Sequence, residues 1–143
     1  MTTIHVIARA YIRDNDHLLL AYNGHNFFLP GGHANYHEPH FDALKRELKE
    51  ELGLSIVNIG DFVGVVENVW DNKGTPFHEQ CFIFEVSSSF LSAQIPVTSK
   101  ETHISFHWKT FKKIRNENFL PKSIDDFLAN FIRTRKPCFH SLF

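Results

Sequence analysis

Few features of this sequence suit life outside the cell or in a membrane. Two cysteines stand in 143 residues, Cys81 and Cys138. Each is isolated, so they form neither a disulfide framework nor a paired metal-ligand spacing, which points to a reducing, cytoplasmic setting. No apolar run approaches the roughly 20 residues of a membrane span. The opening MTTIHVIARAYIRD lacks a basic head followed by an apolar stretch, and His5 and Arg9 interrupt it, so no secretory signal is expected. An excess of charge of one sign is missing too. Fifteen Lys and Arg against sixteen Asp and Glu leave a net charge of −1 with histidines neutral, which argues against duplex nucleic acid or an anionic membrane as partner. A small polyanion stays open, because a bound metal ion can bring positive charge locally. Repeats and low-complexity tracts are absent.

What is present is an aromatic chain of one-domain size, with fifteen phenylalanines and enough length to bury a proper core. The expected organisation is a single domain over residues 1–143. Residues 3–13 read as a strand, 14–16 as a turn and 17–22 as the returning strand. Gly60 and Gly64 interrupt a strand region over 55–69, 70–77 (WDNKGTPF) reads as a loop, and 78–86 is strongly β. An irregular polar stretch from Ser87 to about Glu101 precedes a strand at 103–108, and a short helical turn follows at 110–114. Ile124, Phe127, Leu128, Phe131 and Ile132 have the spacing of a closing helix. The apolar tail CFHSLF suits packing on the core or on another subunit, a candidate homodimer contact. With strands outnumbering helices and one helix between strands, the fold class is α+β: a mixed sheet with helices on its faces.

The chemistry gathers in residues 30–54, PGGHANYHEPHFDALKRELKEELGL. Gly31-Gly32 allows close backbone approach or a positive φ. Pro39 suits a helix start and Gly53 a left-handed cap. Between them Phe41, Leu44, Leu48 and Leu52 fall on one stripe, while Ala43, Glu47, Glu50 and Glu51 fall on the next, flanked by Arg46. Three glutamates at i, i+3 and i+4 repel one another, and in a partly buried cleft a hard cation such as Mg²⁺ or Mn²⁺ would relieve that cost. An acidic helix alone is more often a solvated face. Here, though, the spacing runs from Gly32 over five residues to Glu38, then over seven to Arg46-Glu47-Leu48. One residue later come Glu50-Glu51, and after one more Gly53-Leu54.

This spacing resembles the signature of the Nudix hydrolases at every fixed position. The resemblance implies an α/β/α sandwich with the loop-helix-loop packed on a mixed sheet. It also implies a metal-dependent enzyme that cleaves the diphosphate linkage of a nucleoside diphosphate joined to a further group. By that resemblance Glu47, Glu50 and Glu51 would hold Mg²⁺ or Mn²⁺ with the carbonyl of Gly31. Arg46 would orient a helix glutamate, and Glu38 would brace the glycine loop. The base that takes a proton from the attacking water is Glu50, Glu51 or an acid outside the helix, with Glu79 and Glu101 as candidates and Glu67 as a weaker one. Phe28, Trp70 and Phe77 are candidate base-stacking residues, and Lys73 a candidate phosphate contact. His33, His37 and His40 straddle a turn and do not share a helix face, unlike zinc-site spacings. A nucleoside triphosphate is the expected substrate. The alternatives are a dinucleoside polyphosphate, ADP-ribose or another nucleotide sugar, or a nucleotide-sensing module without catalysis.

Overall fold

The computed structural model describes residues 3–143, so the first two positions of the expected domain lie outside the described residues. In chain order the elements are β1 (Ile4–Tyr11), β2 (Arg13–Asp14), β3 (His17–Tyr22), β4 (Phe27–Phe28), β5 (Gly31–His33), α1 (His40–Leu52) and β6 (Asn58–Asn72). They continue with β7 (Thr75–Ser87), β8 (Ser105–Thr110), α2 (Phe111–Ile114), α3 (Ile124–Thr134) and β9 (Cys138–Ser141). A five-stranded mixed sheet runs β5-β1-β7-β6-β9, and a smaller sheet joins β2, β4 and β8 through β3. Strands β1 and β7 pair in parallel, as do β6 and β9, while β5 and β6 add antiparallel.

Period-two alternation divides the large sheet between two cores. Ile7 and Tyr11 of β1, with Cys81 and Ile83 of β7, join Phe127, Leu128 and Phe131 of α3. Ala8 and Ala10, with Phe84 and Val86, join Leu44, Leu48 and Leu52 of α1. The two alanines let α1 lie close to β1. The outcome is an α+β protein layered α/β/α, with α1 and α3 on opposite faces of the sheet.

Helix α1 starts after Pro39, which caps it in extended backbone, and ends at Gly53, whose N–H returns to Lys49 O at φ 70°. The expected core stripe is right at Leu44, Leu48 and Leu52 and wrong at Phe41. Phe41 lies in the first turn, meets the Phe84 ring edge-on at 5.1 Å and stays half exposed.

Two further expectations need correction. Residues 70–77 are not a loop: β6 runs to Asn72, β7 starts at Thr75, and Lys73-Gly74 alone makes the turn, both at positive φ. Trp70 and Phe77 pair across the strands and stack at 4.5 Å, which prolongs the ladder. The start of β6 falls at Asn58, later than expected. The tail CFHSLF meets the first of its two expected roles: it supplies β9, which pairs with residues 64–67 of its own chain, packs Cys138 and Leu142 on the core and leaves Phe139 and Phe143 exposed.

Candidate active site

The short strand β5 brings the two glycines against β1 and α1. Gly31 has φ 132°, and a Cβ there would strike the Ala8 carbonyl, so glycine is required on both counts. A Cβ on Gly32 would lie 2.5 Å from the carboxyl carbon of Glu47, which places that carboxylate directly on the loop.

Arg46 ties the helix to the loop through all three nitrogens. Its Nε and Nη2 donate to Glu38 at 2.8 and 3.0 Å, Nη1 to Glu47 at 2.9 Å and Glu50 at 3.4 Å, and Nη2 to His33 O at 2.9 Å. Glu38 also accepts from Asn35 N–H at 2.8 Å. The Arg46 guanidinium, then that N–H, pull the Glu38 carboxyl down to about 2; Glu38 in turn raises the Arg46 pKa above its usual value. The pair therefore stays charged across the working pH range.

Glu51 differs in kind. Its neighbour Glu50 has a side chain 51% exposed, whereas Glu51 is 7% exposed and is the buried acid among the described residues. Gly31 N–H donates to its Oε2 at 3.3 Å. Burial pushes the Glu51 carboxyl up to about 7; the charge of Arg9 and the Gly31 N–H oppose this, while Glu47 and Glu101 add to it.

The two acids outside the helix fall in different places. Lys100 N–H donates to Glu51 O at 2.7 Å, tying the polar stretch to the end of α1, and Ser99 Oγ braces the Glu101 backbone. Glu101 thereby sits where its charge reaches Glu51. Glu79 pairs with Asn68 across β6 and β7 and lines a cavity of about 370 Å³. That cavity is also lined by Arg9, Phe28, Asn68, Trp70 and Cys81. Phe77, expected beside the substrate, is not in its wall: it backs Trp70 and stacks on His5 at 5.1 Å. Glu67 faces the other side of the sheet, paired with Gln80, whose Nε2 donates to it at 3.2 Å. Lys73 is exposed at the hairpin tip. His33 meets His5 at 3.2 Å, His37 lies beside Tyr36, and His40 packs on Phe82, so the three histidines do not converge.

Arg9 is the residue that sequence reasoning missed. Its Nη1 donates to Leu29 O at 3.1 Å and Gly31 O at 2.8 Å, and the guanidinium lies over the Phe28 ring at 5.1 Å. In the sequence it reads as one polar residue of an alternating strand. No local signal marks it, because the carbonyls it meets lie twenty and more residues along the chain.

The donor set fits a hard divalent cation. Glu47 and Glu51 both touch the glycine loop, and the Gly31 carbonyl, bonded once to Arg9, keeps a second lone pair. Among the described residues no three His, Cys, Asp or Glu side chains already converge on one point. Glu47 and Glu50 are instead drawn to Arg46, and Glu51 to Gly31 N–H.

Comparison with known proteins gives the family and the fold. The NUDIX domain family model matches residues 3–133. No curated protein matches the chain. Among solved structures, a MutT protein from Methanosarcina mazei Go1 is 24% identical, with TM-score 0.66 over 94% of this chain and 97% of that one. An Ap4A hydrolase from C. elegans is 17% identical, with TM-score 0.61 over 95% and 100%. An ADP-ribose pyrophosphatase from Streptococcus suis 89-1591 is 17% identical, with TM-score 0.60 over 96% and 98%. The large sheet, the helix after the glycine loop and the family match over 3–133 lead to one assignment: the chain belongs to the Nudix family, hydrolases that act on acid anhydrides.

Proposed function

We propose that the chain is a Mg²⁺- or Mn²⁺-dependent pyrophosphohydrolase acting on a nucleoside triphosphate, in which water attacks phosphorus and a nucleoside monophosphate and pyrophosphate are released. The observation that carries this reading is the buried Glu51 carboxyl on the Gly31 N–H, with Arg9 of the cavity wall bonded to the carbonyl of that same Gly31.

Glu47, Glu50, Glu51 and the Gly31 carbonyl would hold the cation, which when bound polarises phosphate oxygens and lowers the pKa of water. Arg46 positions Glu47 and Glu50 rather than the substrate, and Glu38 keeps Arg46 against the loop. Glu101 is the acid we assign to take the proton of the attacking water, because the Lys100 N–H bond to Glu51 O holds its segment against the acidic end of α1. Glu79 faces the cavity and acts on the nucleoside side.

The size of the cavity supports this substrate class. About 370 Å³ lies at the small end of ligand sites, which span roughly 300–1,000 Å³, and suits one nucleoside better than two. Phe28 and Trp70 offer it aromatic faces. Similar folds carry names as different as Ap4A hydrolase and ADP-ribose pyrophosphatase, so fold alone does not choose among these substrates. A panel of nucleoside triphosphates, dinucleoside polyphosphates and nucleotide sugars, assayed for monophosphate and pyrophosphate release with each metal, tests the reading. Fastest turnover of a triphosphate supports it. Preference for a dinucleotide or sugar overturns the substrate, and tight binding without turnover makes the chain a nucleotide sensor.

A further inference from the structure

We propose that Arg9 is a substrate-positioning residue that joins the cavity to the acidic helix, its guanidinium receiving the phosphate attached to the nucleoside. This rests on the nucleotide reading above and adds to it the group that holds the substrate's first phosphate.

Four observations converge. Arg9 sits on β1 between Ala8 and Ala10, both fully buried, and its half-buried side chain lines the same cavity as Phe28 and Trp70. One nitrogen, Nη1, makes both of its carbonyl bonds, to Leu29 and Gly31. Among the described residues Arg9 has no further oxygen partner, and the Cys81 thiol beside it is a weak one, so the Nε–Nη2 edge of the planar fork is left for a ligand. Among the described residues no carboxylate lies within ion-pair distance of it either. Arg46 has three carboxylates and Arg135 has two.

A half-buried guanidinium with carbonyl partners but no counter-ion is incomplete. The group that completes it is an anion with two oxygens at the spacing of the fork, which a phosphate provides and a lone carbonyl does not. The position selects which phosphate. Arg9 stands between the aromatic cavity wall and Gly31, so a nucleoside held by Phe28 and Trp70 presents its own attached phosphate first. Further phosphates then extend toward Glu47 and Glu51. The neighbouring Cys81 thiol, whose pKa burial pushes up to about 12, stays neutral and cannot serve as the counter-ion.

The test compares binding of AMP, GMP, CMP and UMP with binding of the matching nucleosides, in EDTA, by quenching of tryptophan fluorescence. The proteins are wild type, Arg9→Gln and Arg9→Lys. Wild type should bind its preferred monophosphate more tightly than the nucleoside. Arg9→Gln should weaken the monophosphate by about 10–100-fold, the usual worth of a charged hydrogen bond, and leave nucleoside affinity unchanged. Arg9→Lys, which keeps charge but loses the fork, should fall between. In turnover the loss should appear mainly in KM. Equal monophosphate affinity in wild type and Arg9→Lys would overturn the proposal, and so would parallel loss of nucleoside and monophosphate binding, which marks a purely structural role. A wild type that binds no monophosphate more tightly than its nucleoside also overturns it. If Arg9→Gln does not fold, Arg9→Lys alone decides. Because the comparison needs neither metal nor turnover, an inactive wild type would defeat the hydrolase reading without touching this one.

Discussion

Replacing Glu51 by Gln should destroy activity and stabilise the metal-free protein, both for the same reason. Glu51 is 7% exposed, and burial raises its carboxyl from 4.5 to about 7. Between those two values the folded chain holds a proton that the unfolded chain has released, so folding stability falls as pH rises through that window. The shift corresponds to about 3 kcal/mol at pH 8, at 1.36 kcal/mol per unit. Glutamine keeps the shape and an acceptor for Gly31 N–H but has no charge to bury. Urea unfolding in EDTA should therefore show Glu51→Gln gaining on wild type by about 3 kcal/mol between pH 4.5 and 8, or roughly 6–12 °C in Tm at the higher pH. Adding Mg²⁺ should restore wild type and leave the variant unmoved, since a ligand stabilises only the fold that binds it. A stability difference that does not change with pH would refute the burial argument. A variant less stable at pH 8 than at pH 4.5, relative to wild type, would reverse its sign.

Other outcomes follow from the same geometry. Glu101→Gln should lower kcat by about 10²–10⁴-fold, the range of general-base losses, while Mn²⁺ affinity measured by paramagnetic resonance stays at the wild-type value; loss of metal binding would make Glu101 a ligand instead. Gly32→Ala should fold, because the atom it meets is the end of the flexible Glu47 side chain, yet bind Mn²⁺ at least tenfold more weakly. Gly31→Ala, with its Cβ against the Ala8 carbonyl and a positive φ, should fail to accumulate as folded protein. Trp70→Ala should cost about 1–3 kcal/mol in nucleotide binding, and Phe77→Ala less, because Phe77 stands behind it; the reverse order in titration calorimetry would contradict the cavity assignment.

The parts of this protein written in local sequence were the legible ones. Pro39 and Gly53 mark α1 to within a residue, the Leu44-Leu48-Leu52 stripe shows which side is core, and fixed spacing links Gly32, Glu38 and the helix acids. Glu50 and Glu51 are adjacent and chemically identical, so sequence could not tell that one would be buried and the other exposed. That difference arises from where β5 passes. Trp70 and Phe77 looked like loop residues because Asn72, Lys73 and Gly74 lie between them, but a two-residue turn lets the aromatic pair keep the strands together. Arg9 was hidden for a third reason. Its role depends on the Leu29 and Gly31 carbonyls, twenty residues and more along the chain, and no local pattern announces such a meeting.

The central claim is that carboxylates on the glycine loop hold a divalent cation that makes this chain a nucleotide hydrolase. The most direct measurement is a Mg²⁺ titration of nucleotide turnover in chelator-treated wild type and Glu47→Gln. The account predicts saturable activation of wild type, none in EDTA, and loss of turnover in a variant that melts as a folded protein. Turnover that persists in EDTA, or a Glu47→Gln variant running at the wild-type rate, would contradict it.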